Sequence, residues 1–169
     1  MHIDNLYDYE EKHINFLKEN ASECCLFLKK DGSFPIKKPC KVALFGNGGR
    51  NTIKGGTGSG DIISRTFLNI EETLKQKGFE ITTTSYLDCL DAIKRSEKKA
   101  YIKRGYSLAR KYKISPSVFS MGYFDYEKNY SLSCENYYGD IALYILSRNS
   151  GEGNDRNKIK GDVYLSDKK

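Results

Sequence analysis

Four consecutive apolar residues, Val42-Ala43-Leu44-Phe45, run straight into a stretch from Gly46 to Gly60 that holds seven of the chain's fifteen glycines. An unbroken apolar run bounded by Pro39 and Gly46 is the pattern of a short strand buried on both faces. The glycine density that follows is more than a helix or strand tolerates, so it marks a loop with special backbone geometry at the strand's carboxyl end. Together these features predict an α/β fold, a mainly parallel sheet sandwiched by helices, with the Val42–Phe45 run as its central strand.

The rest of the chain supplies elements to match. Ile14, Leu17, Ala21, Cys24, Cys25 and Leu28 recur at intervals of three and four, which predicts an amphipathic helix over about residues 3–29, packed on something C-terminal to it and stopped by Asp31, Gly32 and Pro35. Asn69 is placed to cap a second helix, with Glu72 as its capping-box partner and Gly78 as its stop. The β-branched stretch Phe79 to Thr84 reads as a second strand, and strand, helix, strand in this order favours a parallel pair. A long helix is expected from Ser85 to about Lys113, with Leu87, Leu90 and Ile93 toward the core and a possible interruption at Gly105. Residues 114–138 show no clear period and read as an irregular connection. A third strand, Ile141 to Leu146, then delivers the chain into Ser147 to Asp155. Ser166 and Asp167 resemble a helix start at the point where the sequence ends, as in a chain cut inside a larger fold.

At 169 residues the chain suits a single domain, 1–169, with its own core. No stretch approaches the roughly 18 to 20 apolar residues of a membrane span. The segment from Met1 to Asn20 lacks the apolar run of a secretory signal, so a cytoplasmic location is expected. Five cysteines, Cys24, Cys25, Cys40, Cys89 and Cys134, have neither an even count nor CxxC spacing, and read as reduced packing residues rather than disulfide or metal ligands. The net charge of +6 is concentrated between Lys94 and Lys113, where nine Lys or Arg face the single acid Glu97. That segment reads as a solvated helix face, because its tyrosines match no RNA-binding signature, and no nucleic-acid partner is expected.

Two loops are candidates for chemistry. Gly46 to Gly60 follows a strand, and Arg50 or Lys54 could add charge to a phosphate cradle. Yet a dinucleotide fingerprint needs glycine where Asn51 stands, and a P-loop needs Ser or Thr after its lysine, where Gly55 stands. Gly58-Ser59-Gly60 is not a nucleophile elbow, since that turn places its glycines two residues either side of the serine. The only histidines are His2 and His13, so a serine or cysteine triad has no evident base. In the second loop, Ser147 to Arg156, Glu152 stands between Gly151 and Gly153, where no bulky neighbour shields it. A solvated turn glutamate and a general acid or base are both compatible with that spacing.

Three separated segments resemble one family, the α/β sandwich domain of family 3 glycoside hydrolases of the β-glucosidase type. They are Leu26-Phe27-Leu28-Lys29-Lys30-Asp31-Gly32-Ser33-Phe34-Pro35-Ile36, then Val42 to Gly46 with Lys54-Gly55-Gly56-Thr57-Gly58-Ser59-Gly60-Asp61, and finally Ser147 to Asp155 around Ser150-Gly151-Glu152-Gly153. The resemblance covers roughly residues 20–93 and 139–167. Lys30, Phe34 and Gly49 depart from the family's usual asparagine, leucine and alanine.

The resemblance implies a retaining hydrolysis of terminal β-glycosidic bonds by two carboxyl groups on different domains. Glu152 matches the family's general acid/base, with Ser150, Gly151 and Gly153 setting its loop. Gly55, Gly56, Gly58, Ser59 and Gly60 match a loop that shapes the domain interface. The nucleophile is expected on a (β/α)8 barrel not found in this chain, in an order with the sandwich first. The implied partners are therefore that barrel and a β-linked glucoside or oligosaccharide, with no cofactor and no metal. A non-catalytic remnant, or a carbohydrate-binding module without the barrel, is the alternative.

Overall fold

A computed structural model describes residues 6–29, 32, 34–55, 60, 64, 67–117, 132–133, 136–150 and 155–165. The chain divides into two compact units, residues 1–39 with 64–67, and residues 40–63 with 68–169. None of the described helices is long and apolar enough to cross a membrane.

In the first unit, helix α1 spans Asp8–Asn20, shorter than the apolar periodicity predicts. Asp8, Glu10 and Glu11 lie in its first turn and Lys18 in its last, as the helix dipole favours. The Tyr7 backbone N–H donates to Glu10 Oε2 at 2.9 Å, closing the first turn. A 3-10 turn, Ala21–Cys24, takes over where the α-helical bonds stop. Within this unit α1 buries none of its residues. Phe27 and Phe34 bring their rings to 5.2 Å, joining two parts of the segment that resembles the family.

The second unit holds a three-stranded parallel sheet, so the α/β reading holds. Strand β1 (Lys41–Phe45) is central, with β2 (Glu80–Ile81) on one side and β3 (Ile141–Tyr144) on the other. Val42 is in register with both Ile81 and Ile141, and Phe45 with Tyr144. Helix α2 (Ile70–Gln76) connects β1 to β2, and helix α3 (Thr84–Tyr112) follows β2. Val42, Leu44, Ile81 and Leu87 form the buried centre, with Leu74 of α2, Phe79, Ile141 and Leu143 packed against it. Val42 and Leu44 are fully removed from solvent, which is why their run stands out in an otherwise polar chain.

Several boundaries differ from the sequence reading for a local reason. Strand β2 is two residues long rather than six, because Thr83 substitutes a side chain for the ladder. Its Oγ1 accepts from the Leu44 N–H at 2.9 Å and donates to the Leu44 carbonyl at 2.7 Å. With those groups satisfied, the backbone is released to begin α3 at Thr84. The α2 cap is as expected: Asn69 Oδ1 accepts from the Glu72 N–H at 2.7 Å, and Glu72 Oε2 from the Asn69 N–H at 3.1 Å.

Helix α3 runs through Gly105, which is buried, without a break. The helix ends where Lys113 turns into the left-handed region at φ 53°. Most cations between 94 and 113 are exposed, but Lys94 is buried, so the segment is not a wholly solvated face. Of the four described cysteines only Cys40 packs against the core, while Cys24, Cys25 and Cys89 are exposed thiols. The packing role read for the cysteines therefore fails for those three.

Candidate functional site

Both loops leave the carboxyl ends of parallel strands, the position where open α/β sheets carry their ligands. The root of the first is a 3-10 turn, Asn47–Gly49, opened by Gly46 at φ 85° and ψ 154°. That backbone conformation is essentially restricted to glycine. A Cβ at Gly46 would also lie 2.5 Å from the Ile145 carbonyl oxygen, and one at Gly48 would lie 2.7 Å from Ile145 Cγ2 and 3.1 Å from Ser147 Cβ. The Gly48 N–H donates to the Ile145 carbonyl at 3.3 Å. The glycine turn thus sits directly against the exit of β3, where the second loop begins. Gly46→Ala is expected to destabilise the chain by about 1–3 kcal/mol, read as a lower urea midpoint with an unchanged slope.

Three further side chains fix this turn to the helices. Thr52 Oγ1 donates to the Gly48 carbonyl at 2.6 Å and accepts from the Ile70 N–H at 3.1 Å. Asn51 Nδ2 donates to Asp91 Oδ1 at 2.9 Å. Arg50 is surrounded by carboxylates: it donates to Glu71 from Nε at 2.5 Å and from Nη2 at 3.0 Å, and from Nη1 to Asp88 at 2.6 Å and Asp91 at 3.3 Å. Its hydrogen bonds to Glu71 raise its pKa further above the arginine range. The same bonds, helped by Lys75, hold the Glu71 carboxyl below its ordinary value despite burial. Arg50 is therefore committed to α2 and α3, which removes it from the phosphate-binding role that the glycine pattern alone would allow.

Of the residues assigned to the interface loop, Gly55 and Gly60 are described and lie close together, a Cβ at Gly55 falling 2.6 Å from the Gly60 carbonyl oxygen. Gly56, Gly58 and Ser59 lie outside the described residues.

In the second loop, Ser150 is described and exposed, whereas Gly151, Glu152 and Gly153 lie outside the described residues. Both flanks of Glu152 are in place. Arg148, Asn149 and Ser150 before it, and Asp155, Arg156 and Lys158 after it, line an open cleft of about 500 Å³. Arg156 spans the two flanks, donating from Nε to the Asn149 carbonyl at 2.5 Å and from Nη1 to Asp162 Oδ1 at 2.7 Å. The other oxygen of Asp162 accepts from the Asn157 N–H at 2.8 Å. Burial pushes the Asp162 carboxyl up, but the Asn157 N–H and the Arg156 guanidinium outweigh it and hold the carboxyl below its usual range.

The Arg156–Asp162 pair escaped the sequence reading, for residues six apart in an irregular segment fall into no period. Among the described residues no cluster of His, Cys, Asp and Glu could hold a metal ion. His13 is exposed, with its ring 6.0 Å from that of Tyr9 on α1.

No family model matches the sequence. The chain is 34% identical over 152 residues to β-glucosidase A of Butyrivibrio fibrisolvens, a match that covers 89% of this chain and 16% of the relative. Two solved structures of β-glucosidase 3B from Thermotoga neapolitana share its fold. The complex with α-D-glucose is 31% identical with a TM-score of 0.59, covering 93% of this chain and 21% of that one. The complex with glucose is also 31% identical, with a TM-score of 0.60, covering 94% of this chain and 21% of that one. The chain thus spans about a sixth to a fifth of the length of the relatives it matches. Sequence likeness over nearly the whole chain, joined to the shared parallel sheet, supports a β-glucosidase-like domain of the glycoside hydrolase family 3 type.

Proposed function

We propose that this domain supplies the general acid/base of a retaining β-glucosidase, and that Glu152 is that group. The nucleophile would come from a (β/α)8 barrel, with which the domain closes on a terminal β-linked glucosyl unit. One observation supports this reading above the others: the chain leaves β3 at the carboxyl edge of the sheet, against the glycine turn, and the flanks of Glu152 line a cleft there. The domain division suits the chemistry. A retaining pair stands only about 5 to 5.5 Å apart across the sugar, so two domains must approach to bring their carboxyl groups together. Glu152 would give its proton to the glycosidic oxygen as the nucleophile attacks the anomeric carbon, then take a proton from the water that releases the sugar. Glucose in the solved relatives makes a glucoside the first substrate to test.

Chemical rescue tests the assignment. In the enzyme assembled from this domain and its barrel, Glu152→Gly is expected to form the glucosyl-enzyme from 2,4-dinitrophenyl β-glucoside and to release it slowly. Azide attacks the anomeric carbon without needing a general base, displaces the nucleophile's carboxylate, and yields β-glucosyl azide. Turnover restored by azide with that product supports the assignment. An unimpaired Glu152→Gly enzyme would point instead to a non-catalytic, sugar-binding role. The domain by itself is expected to cleave no aryl β-glucoside at a measurable rate.

A further inference from the structure

We infer that Arg156, held by Asp162, is a positioning residue for the acid/base, joining the two flanks of the Glu152 loop and so fixing where that loop starts and ends. The inference rests on the proposed role of Glu152 and deepens it. Asn149 lies three residues before Glu152 and Arg156 four residues after it. The bond from Arg156 Nε to the Asn149 carbonyl, 2.5 Å long, ties those positions directly. The remainder of the guanidinium is anchored rather than free to swing: Asp162 is 1% exposed, and its two oxygens are taken by Arg156 and by the Asn157 N–H. Around Asp162 the backbone folds into a compact turn, with the Gly161 N–H donating to Tyr164 at 2.8 Å and the Tyr164 N–H to Ile159 at 3.1 Å.

The cost of such a pair is what gives it meaning. Taking two opposite charges out of water is expensive, and an apolar pair of similar volume often stabilises a fold as well or better. The Arg156 side chain is only 11% exposed, so the desolvation is real. What the guanidinium provides that an apolar side chain does not is direction: planar, rigid donors aimed at one carbonyl and one carboxylate at once. A carboxylic acid that must meet a glycosidic oxygen on one face of a sugar needs that kind of support, since a misplacement of about 1 Å costs on the order of 100-fold in rate.

The test compares two substrates in the assembled enzyme, phenyl β-glucoside, whose leaving group needs a proton, and 2,4-dinitrophenyl β-glucoside, whose leaving group does not. Arg156→Lys and Asp162→Asn are expected to lower kcat/KM for the phenyl glucoside roughly 10- to 100-fold and for the dinitrophenyl glucoside by less than about 3-fold. A purely structural role would reduce both alike, by the fraction of enzyme lost. Equal losses, or no loss, while Glu152→Gln remains selective for the phenyl substrate, would overturn the positioning role alone. A Glu152→Gln enzyme without that selectivity would overturn the acid/base assignment, and the inference with it. Should both clamp variants fail to fold, hydrogen exchange on the wild-type protein decides: the Asn157 amide is expected to be protected, and exchange at the rate of an open chain removes the clamp.

Discussion

Glu152→Gln is expected to lower kcat/KM for phenyl β-glucoside roughly 100- to 10,000-fold in the assembled enzyme, the range that a lost general acid commands. Glutamine keeps the size of the side chain and removes the proton it gives to the departing phenolate. For 2,4-dinitrophenyl β-glucoside, kcat/KM should stay near the wild-type value, because kcat/KM reports the first irreversible step and that leaving group departs unaided. Its kcat should fall all the same, since the second step still needs a base to activate water. The glucosyl-enzyme then accumulates, KM drops with kcat, and a burst of dinitrophenolate precedes the slow steady state. The alkaline limb of the pH profile for the phenyl substrate, set by loss of the acid's proton, should disappear with Glu152. Uniform losses on both substrates, or an alkaline limb that persists, would remove Glu152 from the proton path.

What the sequence makes legible and what it does not divide along a physical line. Val42 to Phe45 announced β1 because a strand buried on both faces must be continuously apolar, and Asn69 with Glu72 announced α2 because a capping box is local. The sequence overextends the second strand because Thr82 and Thr83 have the β-branched composition of a strand, whereas Thr83 spends its hydroxyl on Leu44 and frees the backbone for α3. The position of both loops at the carboxyl edge followed from strand order, and the Gly46–Ile145 approach agrees with it. The supports of those loops did not follow. Glu71 and Lys75 show a helical spacing, but nothing local ties them to Arg50, and the Asp162–Arg156 pair has no spacing to read. Ion pairs made by tertiary approach leave no periodic trace, so the residues that hold a site are harder to find than those that form it.

Arg50→Met should be the most destabilising single change in the glycine turn, at about 3 kcal/mol, or roughly 6 to 12 °C in melting temperature for a domain of this size. Methionine preserves much of the buried stem and deletes the charge. Glu71, whose side chain is 5% exposed, would keep only Lys75 as a cation, while Asp88 and Asp91 would lose the guanidinium they share with it. Lys75→Met, by contrast, should cost less than about 1 kcal/mol, because Lys75 is half exposed and solvent already screens it. The two variants should also differ in acid. The Glu71 carboxyl is held below its ordinary value of 4.5 in the folded chain, so its pairing contributes fully above that value and is lost as pH falls through the folded value. The wild type should therefore lose stability more steeply below about pH 4.5 than Arg50→Met does, and the gap between them should narrow toward pH 3. Urea midpoints at pH 7, 4 and 3 measure that convergence. A gap that stays constant with pH would mean that the loss does not come from pairing with the carboxylates, and that they are incidental to the turn they surround.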